Sequence, residues 1–248
     1  MSLIEAAKEG CIENVKLLMP RETGKQDSEG YTALMYATQN GHTECVKLLM
    51  DKEAGMKNNY GKTALIYATQ YDRPECVKLL MPREAGIQDN DYDTALMYAA
   101  RYGKTECVKL LIDKEAGKQD SYGRTALMWS VINIHPEYLT NDIISRHAEL
   151  LMDMEIDLKD KDNYIAHRKA AYYKQLDCVK LLVDKEAGLQ DKNGKTALME
   201  AAQYGKTDCV ELLISREVNI KDKKGKSALD YAKNEEIRKI IREYIENN

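Results

Sequence analysis

Phenylalanine is absent from the 248-residue chain and tryptophan occurs once. A phenylalanine core is therefore excluded, and sixteen tyrosines carry nearly all the aromatic area. Proline occurs only four times, too seldom for a proline-rich linker. No apolar run reaches the length of a spanning helix, and Met1-Ser2-Leu3-Ile4-Glu5 has neither a basic start nor an apolar stretch. No membrane insertion is expected, and a cytoplasmic or nuclear home is the default. Positive charge is not in excess either: the net charge is −4 and the pI about 5.7. Nucleic-acid modules usually show a basic total, so nucleic acid is disfavoured as a partner. With 44% hydrophobic and 31% charged residues, the chain is able to build a core.

What is there is repetition. The triplet Thr-Ala-Leu begins at Thr32, Thr63, Thr94, Thr125 and Thr196 and returns as Ser227-Ala228-Leu229. Successive copies are 31 residues apart, except for one gap of 71, which divides into 40 and 31 if Ile165-Ala166-His167 is a worn copy. Cys-Val-Lys-Leu-Leu from Cys45, Cys76, Cys107 and Cys178, and its variant from Cys209, keeps the same spacing. A fixed period of tens of residues marks an array in which each unit buries its apolar face against its neighbours.

Each unit reads as two short helices. Thr32 suits an N-cap, Leu34, Ala37 and Thr38 share one helical face, and Gly41 suits the C-terminal turn. The second helix has Cys45, Val46, Leu48 and Leu49 as its buried stripe, with Lys47 toward solvent. Asn58, and Asp27, Asp89, Asp120, Asp191 and Asp222 in the same place, mark a tight turn between units. Pro20 and Pro82 are expected where second helices stop, and Pro74 in a first turn. The expected organisation is one array over 1–248. It has an N-terminal cap (1–29), three regular units (30–60, 61–91, 92–122) and a unit with nine extra residues (123–162). A degenerate unit (163–193), a regular one (194–224) and a charged C-terminal cap (225–248) complete it.

Asp-x-x-Gly-x-Thr-x-Leu, a small pair such as Ala99-Ala100, Gly103, and Val108-x-Leu110-Leu111 resemble the ankyrin repeat, over essentially the whole chain. The resemblance implies an all-α repeat solenoid, in which stacked helix pairs carry short hairpin fingers and leave a concave face. Thr-Ala-Leu-Met stands for the family's Thr-Pro-Leu-His, and the unit is about two residues shorter than the usual repeat. Cysteine also replaces a branched aliphatic residue. With Lys-Glu-Ala-Gly at the helix end, the chain is similar to the ankyrin-only proteins of diplomonad protists.

Chemistry finds little support. Gly55 to Thr63 resembles a phosphate-binding loop, but five residues separate its glycines where four are required, and no strand precedes it. Five cysteines form a ladder of small buried residues, too far apart to bridge across packed helices, while Cys11 aligns with His42 as the more exposed thiol. His42, His135, His147 and His167 join no nucleophile or carboxylate. No catalytic residue, metal or cofactor is expected. His167 stands where leucine packs, either buried at a cost or left half exposed by a rotated helix.

The tyrosines carry the functional expectation. In ankyrin-like proteins the two places after the small pair face the concave groove; here they include Tyr71, Arg101-Tyr102, Tyr172-Tyr173 and Gln203-Tyr204. Tyrosine combines apolar area with a hydroxyl, which suits an interface. The finger tips add Tyr31, Tyr60, Tyr122 and Arg124, with acids toward the middle of the chain and lysines toward its end. A second column, Tyr36, Tyr67, Tyr98, Trp129 and Tyr231, is assigned to packing between units. The expectation is a non-enzymatic scaffold or adaptor, monomeric by default, binding a partner protein through its concave face. The alternative is a structural, cytoskeleton-associated element that self-assembles through the insertion between Val131 and Ile143. That insertion and the worn sixth unit are also expected to weaken coupling between the two halves.

Overall fold

The computed structural model describes residues 1–132 and 140–248, which fold into helices joined by short turns, with no strand among the described residues. They divide into two compact units, Met1–Ser121 and Tyr122–Asn248. Unit 1 stacks four helix pairs: α1 (Leu3–Glu9) with α2 (Ile12–Glu22), α3 (Ala33–Asn40) with α4 (Thr43–Glu53), α5 (Ala64–Gln70) with α6 (Pro74–Glu84), and α7 (Ala95–Arg101) with α8 (Thr105–Glu115). Unit 2 also stacks four: α9 (Ala126–Val131) with α10 (Asn141–Glu155), α11 (Ala166–Tyr172) with α12 (Leu176–Glu186), α13 (Ala197–Gln203) with α14 (Thr207–Glu217), and α15 (Ala228–Tyr231) with α16 (Glu235–Asn247). Within each unit, inner helices pack on inner helices and outer on outer.

Inner helices begin at Thr because its hydroxyl accepts an amide that the first turn leaves unpaired. Thr32, Thr94, Thr125 and Thr196 accept from Met35, Met97, Met128 and Met199. Thr63 and Ile165 keep the extended cap backbone without that bond. Leu34, Ala37 and Thr38 are buried with their counterparts, as are Cys45, Val46 and Leu49. Leu48 is only half-buried, which narrows the expected stripe. The prolines also depart from expectation. Pro20 and Pro82 lie inside α2 and α6, which run on for two more residues to Glu22 and Glu84.

Those terminal glutamates explain why the helices run on. Glu53, Glu84, Glu115 and Glu217 are 1% exposed, and each accepts the amide of the second residue of its own inner helix. The donors are Leu34 (2.7 Å), Leu65 (2.6 Å), Leu96 (2.6 Å) and Leu198 (2.7 Å). The other oxygen of each accepts the amide of a turn glycine in the preceding repeat: Gly24, Gly55, Gly86 and Gly188. A carboxylate is thus placed at a helix N-terminus, where amides and dipole favour it, and one side chain ties two repeats together. Burial still pushes the carboxyls of Glu84, Glu115 and Glu217 up, against the pull of these amides.

Finger turns are organised by the Asp or Asn column. Asp27 Oδ1 accepts from Glu29 and Tyr31, and Asn58, Asp89, Asp160, Asp191 and Asp222 repeat the motif. A glycine follows at positive φ; at Gly61 (φ 76°) an added Cβ would lie 2.6 Å from the amide nitrogen of Asn90 in the next finger. Tyr92 occupies that left-handed place at φ 65°. Neighbouring fingers bond backbone to backbone, as Asn59 donates to Glu29 (3.0 Å) and Asn90 to Tyr60 (3.1 Å).

In unit 2, α10 starts at Asn141 behind the Thr140 cap, earlier than the expected Ala148 to Leu151. The remaining insertion residues singled out from sequence, Ile134, His135, Pro136, Tyr138 and Leu139, lie outside the described residues.

Candidate functional site

The second aromatic column is committed to packing and to the fingers. Tyr67, Tyr98 and Trp129 are buried, while Tyr36 and Tyr231 are half-buried. The hydroxyls of Tyr36, Tyr98 and Tyr231 donate to Asp27 (2.7 Å), Asp89 (2.8 Å) and Asp222 (2.6 Å) of their own fingers. Asn58 donates to the Tyr67 hydroxyl at 2.8 Å, and that hydroxyl donates to Tyr31 at 2.7 Å. Tyr31 is drawn into this packing, its ring 5.1 Å from Tyr36 and 5.2 Å from Tyr67.

The groove column stands apart from it. In unit 1, Tyr71 caps α5, stays 40% exposed and stacks on Tyr67 at 6.4 Å. Tyr102, half-buried, stacks on Tyr98 at 6.1 Å, so each packing ring supports a groove ring. Arg101 pairs with Asp93 (2.7 Å) and lies over the Tyr98 ring. Tyr60 is exposed at its finger tip and reaches Glu29 of the preceding finger at 3.1 Å.

In unit 2 the same column forms a cleft of about 300 Å³. Tyr172 meets Tyr173 edge-on at 4.9 Å and Tyr204 edge-on at 4.7 Å, and Tyr172 and Tyr204 remain exposed. Tyr164, Arg168, Lys169 and Glu200 complete the lining. Gln203, beside Tyr204, accepts from Lys195 at 2.5 Å. Tyr122 is an exposed finger tip with Arg124 against its ring at 4.7 Å; Arg124 also covers Trp129 at 3.9 Å.

Beneath the cleft lies a buried ion triad that sequence reasoning missed. Arg168 pairs with Asp191 at 2.6 Å and with Glu200 at 2.6 Å, and it lies over the Tyr164 ring at 3.9 Å. Arg168 stands in the column of Met35, and Glu200 in that of Tyr36. Burial works against the guanidinium, but Glu200 and Asp191 hold it charged and raise its pKa. With Glu200 unable to bond its own finger as Tyr36 does, Asp191 takes Arg168 from the neighbouring helix. Lys169 fills the tyrosine place in α11 and pairs with Asp160 at 2.7 Å. The signal was available as opposite charges in two apolar columns of adjoining units.

His167 is fully buried at the leucine position, which decides between its two sequence readings. Its amide donates to Glu186 at 2.7 Å, but neither ring nitrogen has a partner, and burial lowers its pKa to about 4. Glu186 Oε1 is also unpartnered; Asp157 stands at the place whose glycine amide serves Glu53, Glu84, Glu115 and Glu217. Burial raises Glu186 to about 8.

The phosphate-loop likeness has no room to act. The amides of Gly55, Asn58, Asn59, Tyr60, Gly61 and Lys62 are all engaged within the protein. All six cysteines are free, the five ladder members buried and Cys11 half-buried. Among the described residues no cluster of His, Cys, Asp or Glu is arranged to hold a metal, and no helix is long and apolar enough to cross a membrane.

A family model described as "Ankyrin repeats (3 copies)" matches residues 3–91, 82–162 and 167–248. The chain belongs to the ankyrin-repeat family. Among solved structures, the ankyrin repeat domain of Bcl-3, described as a unique member of the IkappaB protein family, is similar with a TM-score of 0.73. It is 23% identical, and the match covers 87% of this chain and all of that domain, so the likeness is one of fold. No curated protein sequence gives a significant match. Ankyrin repeats are a protein-interaction fold, generally non-enzymatic, and in this one Tyr71, Tyr102, Tyr172, Tyr173 and Tyr204 stand at the C-terminal ends of inner helices.

Proposed function

We propose that this ankyrin array is a non-enzymatic scaffold or adaptor that binds a partner protein through the inner-helix faces of its units. The observation that carries the reading is the set of tyrosines after the small pair. Tyr71, Tyr172 and Tyr204 remain 39–43% exposed, Tyr71 although it stacks on the buried Tyr67, and Tyr172 and Tyr204 although they pack edge-on against each other. Rigid rings held by packing give contact area with little side-chain entropy to lose, which is the property of an interface hot spot. A cytoplasmic setting, with the likeness to ankyrin-only proteins, fits six unpaired cysteines, since thiols stay reduced there.

The test is an affinity pull-down from the native cell. Wild-type chain is compared with a Tyr71, Tyr102, Tyr172, Tyr173 and Tyr204→Ala variant shown by circular dichroism to fold. A protein retained by the first and lost by the second is the expected result. Equal retention by both places binding elsewhere and ends this reading.

A further inference from the structure

The cleft of unit 2 is bordered by lysines that close no ion pair among the described residues. Lys195 Nζ lies 4.2 Å from the centre of the Tyr231 ring, Lys226 Nζ lies 5.8 Å from the same ring, and Lys233 Nζ lies 5.8 Å from that of Tyr204. Elsewhere in this unit, Lys169 and Lys192 are engaged by Asp160 and Asp162. Lys195, Lys226 and Lys233 enter no ion pair among the described residues; Asp222 and Asp230 act on Lys226 without closing a salt bridge, and the other carboxylates close by are engaged. Asp191 holds Arg168, Asp222 holds Tyr231 and two finger amides, and Glu200 holds Arg168. Lys221, Lys223 and Lys224 extend the positive charge along the last finger, all exposed.

One corresponding place in unit 1 carries acid. Asp93 occupies the Lys195 column, is 4% exposed and pairs with Arg101, and Asp91 stands on the same finger. Lys62, in that column one repeat earlier, is surrounded by Asp89, Asp91 and Asp93. In this column Lys62 and Lys226 both have acid in the neighbourhood, whereas the carboxylates beside Lys195 are engaged, Asp191 with Arg168 and Asp222 with Tyr231.

We infer that the corner of unit 2 formed by Tyr204, Tyr231, Lys195, Lys226 and Lys233 takes an acidic peptide segment of the partner, with one bulky side chain seated in the adjoining tyrosine cleft. This deepens the proposed function and rests on it. Carboxylates of the segment complete the lysines, whose ammonium groups the tyrosine faces already hold in place. The cleft, about 300 Å³, accommodates a single aromatic or branched side chain against Tyr172 and Tyr204.

The experiment uses the full chain and fluorescence anisotropy. The probe is a fluorescein-labelled peptide with glutamates on both sides of a central tyrosine, set against the same peptide with glutamine and with lysine for glutamate. The glutamate peptide is expected to bind best, and to weaken about tenfold or more as salt rises from about 0.05 to about 0.5 M. Replacing Lys195, Lys226 and Lys233 by Gln is expected to cost about tenfold, the sum of three modest surface charge contacts. Lys47, Lys78 and Lys109→Gln, on outer helices, removes the same charge and is expected to change binding less than twofold.

Equal losses in the two triple variants, or no preference for the glutamate peptide, overturn the inference. Tighter binding of a single-stranded DNA oligonucleotide also overturns it, because the lysines then serve another class of polyanion. The lysine variant is also carried through the pull-down. A partner that it retains, while the tyrosine variant loses it, removes the acidic-segment inference and leaves the tyrosine face standing.

Discussion

His167 and Glu186 are joined by one hydrogen bond, and each buries polar atoms that nothing satisfies. Leucine at 167 removes two unpartnered nitrogens and restores the repeat, so His167→Leu is expected to stabilise unit 2 by about 1–3 kcal/mol in urea unfolding. The pair also sets a pH dependence. His167 has a pKa of about 4 in the fold against 6.5 when exposed, so its contribution is full above 6.5 and is lost as pH falls through about 4. Glu186, at about 8 against 4.5, works in the opposite sense: its contribution is full below 4.5 and is lost as pH rises through about 8. Between 4.5 and 6.5 the two slopes cancel, and from 6.5 to 8 the glutamate alone makes stability fall. Other buried glutamates add to the alkaline fall, so the readout is a difference from wild type. Glu186→Gln is expected to flatten the alkaline side and His167→Leu the acid side; an unchanged profile in both refutes this account.

At the scale of the element, the glutamate ladder and the fingers make separate predictions. Glu115 accepts from Leu96 at 2.6 Å and Gly86 at 2.8 Å, so Glu115→Ala strands two buried amides. The expected cost is about 2–4 kcal/mol. Glu115→Gln keeps one acceptor and is expected to cost roughly half as much, because one amide is still satisfied. Losing the same amount in both variants would show that charge, and not hydrogen bonding, holds the junction. Tyr92, 58% exposed at φ 65°, buries little and pays for a left-handed backbone. Tyr92→Gly relieves about 1–2 kcal/mol of strain and returns about 0.5–1 kcal/mol in unfolded-state entropy. A net gain near 0.5–1 kcal/mol in the urea midpoint is expected.

The molecule as a whole is expected to unfold in parts. In a repeat array, stability is a sum over units and the interfaces between neighbours. The chain divides by contacts after Ser121, and the nine extra residues and the strained His167–Glu186 junction follow in unit 2. Hydrogen exchange with mass spectrometry distinguishes the outcomes. Glu115→Ala is expected to raise exchange in α5 to α8 and leave α13 to α16 unchanged, whereas His167→Leu lowers exchange in α11 to α14 only. Equal changes along the whole chain from either substitution would show one cooperative unit.

Much of this protein was legible from its order of residues. The 31-residue period, Thr32 and its copies as caps, and the Cys45 ladder as core follow from local spacing and propensity, which each repeat states again. The stacking of Tyr102 on Tyr98 at 6.1 Å follows from the same local spacing, since residues four apart on a helix lie about one turn apart on one face. Tertiary structure alone decided the rest. Glu53 and its counterparts resemble the solvent-facing charges beside them until a neighbouring repeat places two amides around each carboxylate. Arg168, Asp191 and Glu200 are far apart in the chain, and only stacking brings an arginine from one helix to the acids of the next repeat. The lysines at 195, 226 and 233 are ordinary in sequence; that they close no ion pair among the described residues depends on what the fold has already given to Asp191, Asp222 and Glu200. Periodicity reports which way a side chain points, whereas pairing between charges depends on what another segment brings beside it.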